Sequence, residues 1–279
     1  STLRLSPHQS KTLRALAACR TGALGGQAFY CPHCRREHVV AHSCRNRHCP
    51  HCQGAQAQDW LAQQAATLLP VPYFHLVFTL PHALNGLIRQ NRAALFTLLF
   101  NAASQTLLEF GEQRLVAQLG ITAVLHTWSQ TLGDHYHLHC IVTGGGVAHD
   151  QRRWVTTSPH YLFPVRALSR MFQGKYRAGL NALFAAGKLE FHGQLQALAE
   201  GTQFAALLRK ATQTEWVVYA KRPFAGPEQV LAYLSRYTHR VAISPRRLLA
   251  TDGASVTFAY KDYAEGSRPR TMTLTTSEF

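Results

Sequence analysis

The sequence predicts an α+β protein in which a mostly antiparallel sheet, flanked by helices, follows a small Cys/His-rich module. Three observations support this fold class. Six of the seven cysteines lie within the first 52 residues, where apolar periodicity is weak. Beyond them, short β-rich runs are separated by long helical stretches. Several of the runs follow one another in hairpin order, which favours antiparallel pairing over parallel βαβ units.

The first half of the chain predicts a helix, a strand, a long helical region and a hairpin. An apparent helix from Ala55 to Leu69 ends before two prolines. A β-rich run at 73–80 is stopped by a proline. Apolar spacings of three and four predict a helical region at 87–119. Two strand-like runs, 122–130 and 135–143, then flank a short break that is typical of a hairpin.

The second half predicts the remaining helices and strands. Gly226-Pro227-Glu228 is typical of a helix start, because proline suits the first turn and an acid there suits the helix dipole. Helices are expected at 166–187, at 203–211 and from Gly226 to about Tyr237. Strands are expected at 215–221, 241–244, 255–261 and 271–275.

The charge balance favours a polyanionic partner. Lys and Arg number 29 against 14 Asp and Glu, which gives a formal net charge of +15. Such an excess attracts nucleic acid, and the attraction weakens steeply with salt; the alternative is a generically basic surface. No run approaches the roughly 18 apolar residues of a membrane span, and the first residues lack the apolar stretch of a signal peptide. We therefore expect a soluble cytoplasmic protein.

Two C-x2-C pairs in the module have the spacing of zinc ligands. Cys31 and Cys34 form the first pair and Cys49 and Cys52 the second, with fourteen residues between the pairs. Structural zinc takes four ligands at tetrahedral corners, and each C-x2-C turn aims two thiolates at one point. We expect these four cysteines to form a structural Zn2+ site. As four unligated thiols, they would leave the module with almost no core.

The other cysteines and histidines of the module could form a second zinc site, or they could be buried thiols and surface histidines. The candidate ligands are His8, Cys19, Cys44 and His48, with His42 also near them in sequence. Arg45 and Arg47 lie on the loop between the two C-x2-C pairs. Their position suits contact with DNA phosphates, although both side chains could equally be solvated.

Three histidines alternate with other residues in the second run of the expected hairpin. His135, His137 and His139 share one face, because successive side chains of a strand point to opposite faces. His126 lies eleven residues before His137 and should fall opposite the end of the strand near His139. We expect His126, His137 and His139 to form a metal site, with His135 as a neighbour. The alternative is that some of these histidines only form hydrogen bonds in the core.

Such a site would suit phosphodiester chemistry. Three neutral ligands leave a divalent ion its full charge, and the open positions could take water and a phosphate oxygen. The ion would act as a Lewis acid on the scissile phosphate. Mg2+, Mn2+ or a later transition metal is compatible with histidine ligands.

Two tyrosines nearer the C-terminus are candidate nucleophiles. Tyr233 and Tyr237 are four residues apart, which places them on one face of a helix. A tyrosine can attack phosphorus and form a phosphotyrosine ester. Its phenol, with a reference pKa of about 10, needs help to ionise, and a metal-polarised phosphate lowers that demand. Arg236, His239 and Arg240 would favour DNA nearby. Taken alone, tyrosines at this spacing are more often core or surface aromatics.

These features occur in motifs that extend over nearly the whole chain. The motifs are SCRNRHCP at 43–50, FHLVFTLPH at 74–82, LHTW at 125–128, HYHLHCIVTGGG at 135–146 and YLSRYTHRVAIS at 233–244. In this order they resemble the HUH superfamily of single-strand endonucleases. More closely, they resemble the rolling-circle transposases of the IS91 group, which are related to the Helitrons.

The resemblance implies three parts: a zinc-binding module at 1–53, a connecting helix at 54–72 and an HUH-type nuclease domain at 73–279. Two departures from the family pattern stand out. The chain stops at residue 279, where such a transposase would continue, so we expect the nuclease domain to be truncated at its C-terminus. Gln27 stands where histidine is expected after a double glycine, which weakens the second zinc site.

The resemblance also implies the reaction. The His-hydrophobic-His motif would be His137-Leu138-His139, with His126 as the third ligand and Tyr233 and Tyr237 as nucleophiles. Strand cleavage would give a 5′-phosphotyrosine and a free 3′-hydroxyl, followed by transfer to a new end. The implied partners are single-stranded DNA and hairpin transposon ends. The implied location is the bacterial cytoplasm, in association with the nucleoid when DNA is bound.

Two other functions compete with this interpretation. A non-catalytic zinc-containing DNA-binding regulator, derived from a transposase, would keep the charge and the cysteines but need neither the histidines nor the tyrosines. A metal-dependent hydrolase that activates water would usually need a carboxylate base. Asp134 and Asp150 are the only acids near the histidines in sequence.

Overall fold

The computed structural model describes residues 5–46, 48–158, 160, 162–221, 229, 243, 245–262 and 265–279. The chain forms two compact units. The larger comprises Thr67–Ser129 and Gly133–Leu231, and the smaller comprises Ser1–Ala66, Gln130–Leu132 and Ala232–Phe279. The division between the two units follows Ala66. The domain boundaries expected after residues 53 and 72 stay predictions.

The helices and strands alternate irregularly along the chain. The helices are α1 (Pro7–Ala18), α2 (Pro50–Ala65), α3 (Asn85–Gln90), α4 (Arg92–Leu115), α5 (Val165–Ala185) and α6 (Gly201–Thr212). The strands are β1 (Gly26–Cys31), β2 (Arg36–Ala41), β3 (Tyr73–Thr79), β4 (Ala117–Trp128), β5 (Asp134–Ala148), β6 (Trp154–Thr156), β7 (Val218–Lys221), β8 (Leu248–Thr251), β9 (Ser255–Asp262) and β10 (Arg268–Thr275). The helix expected from Gly226 to Tyr237 and the strand expected at 241–244 lie outside the described residues, apart from residues 229 and 243.

An antiparallel sheet forms the centre of the larger unit. Its strands lie in the order β4-β5-β3-β7, and β6 pairs with the end of β5. Every pairing within it is antiparallel. The expected hairpin is β4–β5, and the expected α+β class with a mostly antiparallel sheet flanked by helices is confirmed.

One face of this sheet is covered by helices. Leu76 and Phe78 of β3 and Leu138 and Val142 of β5 are fully buried in the core, together with residues of α4 and α5. Each such side chain stabilises the fold by roughly 1.5–3 kcal/mol. A register slip of one residue would turn these side chains to the opposite face. The same burial therefore fixes which residues, the histidines among them, lie on the other face.

Helix α4 is long and apolar enough to cross a membrane by length and composition alone. In this structure it is a core helix, because Leu95, Leu99 and Leu107 are buried against the sheet and α5. The expected helical region at 87–119 is divided by Asn91. The amide of Asn91 donates to the carbonyls of Leu87 and Glu190 and accepts from the Glu190 N–H, which anchors the break between α3 and α4.

The smaller unit contains elements that apolar periodicity does not predict. Ser6 and Gln9 form a reciprocal capping box at the start of α1. The β1–β2 hairpin is exposed along almost its whole length, so its sequence carries no alternating buried face. Helix α2 begins at Pro50, five residues before its expected start, because proline is favoured in the first helical turn. Strands β8, β9 and β10 form a separate antiparallel sheet.

Candidate metal centres

Three histidines converge on the face of the sheet opposite the helices. His126 comes from β4, and His137 and His139 come from β5; their ligand nitrogens all lie within 4.8 Å of one another. The ring centroids are 4.4 Å apart for His126 and His139, 4.9 Å for His137 and His139, and 5.2 Å for His126 and His137. The expected three-histidine group is thus brought together. It is held by the strand pairing itself.

The cross-strand partner of His126 differs from the expected one. His126 pairs directly with His137, and Val124 is the residue opposite His139. A register irregularity follows between His126 and Trp128, where the His126 ring stacks on the Trp128 ring. This bulge contains one extra residue, so His126 pairs with a different residue of β5 than it would in a hairpin without a bulge. The His126 ring nevertheless lies closer to the ring of His139 than to the ring of His137.

Two members of the histidine group, His137 and His139, are kept uncharged by their surroundings. His126 and His139 are buried and His137 is partly buried. Burial, followed by the charge of nearby His126, lowers the pKa of His137 to about 3 and that of His139 to about 2. A neutral imidazole keeps a lone pair for a metal, whereas imidazolium has none. Both residues are therefore in the protonation state that metal binding requires.

The environment of His137 also selects which ring nitrogen is available. Its Nδ1 lies 3.0 Å from the backbone oxygen of His135, and because a carbonyl only accepts, Nδ1–H is the donor. The lone pair is then on Nε2. Metal-bound histidines commonly have their second nitrogen fixed in this way. His135 itself lies outside the ligand group, and its Nδ1 is 3.1 Å from Nε2 of His82.

His75 is a site residue that sequence reasoning left without a role. It lies on β3, is buried, and places its Nε2 2.8 Å from Nδ1 of His139. Burial, then the charges of Lys221 and His126, lower the pKa of His75 to about 4. The available signal was a histidine inside a strand with the composition of a buried sheet centre.

The two acids near the histidines in sequence are occupied elsewhere. Asp134 forms an ion pair with Arg89 at 2.7 Å, and Asp150 forms one with Arg153 at 2.9 Å. The N–H of Arg152 and the side chain of Arg153 hold the pKa of Asp150 below its usual value. Neither carboxylate belongs to the ligand group around His137. A carboxylate-based hydrolase is therefore poorly supported by this arrangement.

Four cysteines converge in the smaller unit, but they are not the expected four. The group consists of Cys19, Cys44, Cys49 and Cys52. Their Sγ atoms are 3.5 Å apart for Cys19 and Cys49, and 3.7 Å for both Cys19–Cys52 and Cys44–Cys52. Tetrahedral zinc with Zn–S bonds of about 2.3 Å would need sulfur separations of about 3.8 Å. The arrangement therefore fits a structural zinc ion.

The expected pairing of the two C-x2-C motifs is corrected by this grouping. Cys31 and Cys34 lie at the turn of the β1–β2 hairpin and are exposed. Cys49 and Cys52 lie at the start of α2 and meet instead the cysteine that follows α1. The Cys44 N–H donates to Sγ of Cys19 at 3.4 Å, which ties the loop to that cysteine.

The expected second zinc site is changed by the same finding. Cys19 and Cys44 belong to the four-cysteine group, while His8 and His48 are exposed and lie outside it. Burial raises the pKa of Cys44 to about 12. Burial also acts to raise the pKa of Cys52, but hydrogen bonds from Cys19, Cys49 and Cys44 lower it to about 7. Hydrogen bonds from the neighbouring thiols therefore favour the thiolate form of Cys52.

Several predicted site residues lie outside the described part of the chain. They are Arg47, Tyr233, Arg236, Tyr237, His239 and Arg240. Arg45 is described and is exposed, with a left-handed backbone at φ 50°. Its position is compatible with the expected phosphate contact.

Two family models match separate parts of this chain. Residues 1–80 match the family described as "Transposase zinc-binding domain" (Zn_Tnp_IS91), and residues 120–279 match the family described as "Putative transposase" (Y2_Tnp). These matches identify the class of the protein as a transposase, an enzyme that cleaves and transfers DNA strands. The chain belongs to the IS91-type transposase family.

Two curated relatives extend along most of the chain. A protein of Sinorhizobium fredii named "Putative transposase y4qJ" is 46% identical over 277 residues, which are 99% of this chain and 70% of that protein. The transposase for insertion sequence element IS801 of Pseudomonas savastanoi pv. phaseolicola is 30% identical over 256 residues, which are 91% of this chain and 60% of that protein.

Among solved structures, the conjugative relaxase TrwC in complex with mutant OriT DNA aligns with this chain. The alignment has 15% identity and a TM-score of 0.34, and it covers 62% of this chain and 68% of that one. The family assignment rests on the sequence matches.

Proposed function

We propose that the chain nicks and rejoins single-stranded DNA at transposon ends by metal-assisted tyrosine transesterification, in rolling-circle-like transposition. The observation that carries this proposal is the group of His126, His137 and His139, fixed on paired strands. Three histidines leave coordination positions open, as catalytic metal sites require. A rigid strand pair suits a reaction that depends on positioning.

A divalent ion, Mg2+ or Mn2+, would supply Lewis-acid activation of the scissile phosphate when bound. Nε2 of His137 is the ligand atom that the hydrogen bond to the His135 carbonyl leaves available. His139 would also bind through Nε2, because its Nδ1 faces His75. Two observations support transesterification over hydrolysis: the family membership, and a ligand group that contains no carboxylate among the residues that the structure describes.

Tyr233 and Tyr237 are the proposed nucleophiles. The phenol oxygen of one tyrosine would form a bond to phosphorus as its proton leaves, while the bond from phosphorus to the 3′-oxygen breaks. That oxygen would take up a proton to become a free 3′-hydroxyl, and the DNA 5′ end would remain as a phosphotyrosine ester. Attack of a new 3′-hydroxyl on this ester would rejoin the strand and release the tyrosine. Two tyrosines would allow two strands to be held in turn.

The smaller unit would hold structural zinc and contact DNA. Cys19, Cys44, Cys49 and Cys52 are the proposed zinc ligands. The proposed DNA contacts are Arg45, Arg47, Arg236, His239 and Arg240. A net charge of +15 supports binding to single-stranded DNA and hairpin ends. A protein bound to DNA in this way would be associated with the nucleoid in the bacterial cytoplasm.

The test is covalent capture. The protein is incubated with labelled single-stranded oligonucleotides carrying the two ends of its element, with Mn2+ or Mg2+, and then boiled in detergent. We expect a labelled protein band that is lost in Tyr233→Phe, in Tyr237→Phe or in both together. Tyr219→Phe is the matched control, because Tyr219 is exposed on β7 and has no proposed role.

The remaining outcomes separate the competing functions. The double substitution of His137 and His139 by Ala should abolish the adduct while largely preserving DNA binding. Nicking without an adduct would favour a hydrolase. DNA binding with neither nicking nor an adduct would favour a non-catalytic zinc-containing regulator.

A further inference from the structure

We propose that His75 is a positioning residue for the histidine metal site, where it accepts the Nδ1–H of His139 and so fixes the ring that binds the metal. This inference rests on the proposed function, because it presupposes a metal at His126, His137 and His139. It adds a fourth histidine, from a third strand, to the structure that supports the site.

The sheet register places His75 next to His139. On β3, Val77 is the direct partner of His139 and His75 is the direct partner of Ile141. Residues two apart on a strand share a face, so His75 lies diagonally beside His139 on the metal-binding side. Because this position is set by backbone pairing, the contact does not depend on a flexible loop.

The two rings are joined edge to edge. Nε2 of His75 and Nδ1 of His139 are 2.8 Å apart, the ring centroids are 5.1 Å apart, and the ring planes differ by 9°. Nearly coplanar rings with this separation direct the lone pair of one nitrogen along the N–H bond of the other. The contact is therefore a well-aligned hydrogen bond, of the length expected for a strong one.

Metal binding decides the direction of this hydrogen bond. If His139 binds a metal through Nε2, its only proton is on Nδ1, and Nδ1–H must donate to Nε2 of His75. His75 must then be neutral, with its own proton on Nδ1. The burial of His75 favours this neutral form.

His75 differs chemically from the carboxylates that often support metal-bound histidines. A carboxylate would add negative charge next to the ligand, whereas neutral His75 adds none. The two ligands on β5 are then supported by neutral acceptors, the His135 carbonyl for His137 and the His75 ring for His139. This arrangement holds the ligands in place and leaves the charge of a bound cation available to a phosphate.

The experiment compares metal binding by three variants at position 75. His75→Gln can place a neutral acceptor oxygen near the position of Nε2, whereas the shorter His75→Asn cannot reach it, and His75→Leu removes the acceptor. Mn2+ affinity is measured on the metal-free full chain by calorimetric titration. Thermal unfolding without Mn2+ reports whether each variant folds. His149→Leu is the control, because His149 bonds to Glu112 and is exposed.

We expect His75→Leu and His75→Asn to bind Mn2+ roughly 10–100-fold more weakly, as is typical when support for a metal ligand is lost. His75→Gln and His149→Leu should stay within a few-fold of the wild type. If His75→Leu does not fold, the Gln and Asn variants decide, because both are polar and differ in reach. Equal Mn2+ affinity for these two would overturn the positioning role.

The failure of this inference can be distinguished from failure of the proposed site. If the wild type binds Mn2+ and loses it in the His137→Ala, His139→Ala double variant, the metal site stands, and equal affinities across position 75 overturn only the role of His75. If the wild type and the double variant bind Mn2+ equally, both proposals are wrong. Imidazole 15N chemical shifts give a second readout, since His139 should carry its proton on Nδ1 in the wild type.

Discussion

His126 lies directly across the β4–β5 hairpin from His137, yet its ring is closest to that of His139, with centroids 4.4 Å apart. Direct cross-strand neighbours are held at a fixed spacing by the hydrogen bonds of the ladder. The geometry of the three-histidine group is therefore a consequence of the sheet register. The buried face of the same strands fixes that register.

Substitution of His126 should separate ligands from neighbours. His126→Ala should weaken Mn2+ binding by at least about 100-fold, since loss of a direct ligand should exceed loss of a supporting group. His135→Ala should change it by no more than a few-fold, because the supporting atom is the backbone oxygen of His135, which the substitution retains. Calorimetric titration of both variants checks this. A larger loss in His135→Ala than in His126→Ala would show that the ligand set is wrong.

The metal-free protein should lose stability in mild acid. Burial lowers the pKa of His137 to about 3 and that of His139 to about 2, compared with roughly 6.5 in an unfolded chain. At a pH between the folded and unfolded pKa values, the unfolded chain binds more protons than the folded chain. The free energy of unfolding is therefore highest above about pH 6.5 and decreases as the pH falls. Each histidine should remove about 2 kcal/mol of unfolding free energy between pH 6.5 and pH 5.

Urea denaturation of the metal-free protein at the two pH values measures this loss. His137→Gln cannot be protonated in this range, so it should show a smaller difference between pH 6.5 and pH 5 than the wild type. The same pH dependence in both proteins would mean that His137 has the same pKa in the folded and unfolded chains, which would contradict a pKa lowered by burial.

Gly111 in α4 should be required for the turn from this helix into β4. A methyl group on Gly111 would lie 2.8 Å from Cγ of Leu119 and 2.9 Å from the carbonyl oxygen of Ala117. Gly111→Ala should therefore destabilise the protein by about 1–3 kcal/mol through overpacking. At Gly174 of α5, a methyl group would meet no atom within 4 Å apart from the adjoining backbone of its own helix. Gly174→Ala should stabilise by about 0.4–1 kcal/mol, as measured by urea denaturation.

Features set by local pattern could be predicted from the sequence. The strand at 73–80, the β4–β5 hairpin and the shared face of His137 and His139 follow from alternation and from short polar breaks. Features set by contacts between distant residues could not be predicted from the sequence. The His75–His139 hydrogen bond joins residues 64 positions apart, and no periodicity indicates that β3 lies beside β5 in that register.

The cysteines show the same limit. C-x2-C spacing correctly indicates that Cys49 and Cys52 aim at one point, but it does not identify the other two ligands of that point. The β1–β2 hairpin carries Cys31 and Cys34 on an exposed turn, and its strands bury nothing. Without a buried face, the sequence gives no signal of where that hairpin lies.

Substitution of single cysteines should decide between the ligand set expected from spacing and the set that the structure brings together. Cys44→Ser should lose about one bound zinc per chain, because its thiol lies within the four-cysteine group. The thermal stability of the smaller unit should fall with it, since zinc-binding energy in such a module is folding energy. Cys34→Ser is the matched control and should keep that zinc, because Cys34 is exposed outside the group.

Zinc content after dialysis, measured by atomic emission, distinguishes the two variants. Zinc retained in Cys44→Ser and lost in Cys34→Ser would restore the set expected from spacing, and loss of one zinc in each variant from a total of two would establish a second site that includes Cys34.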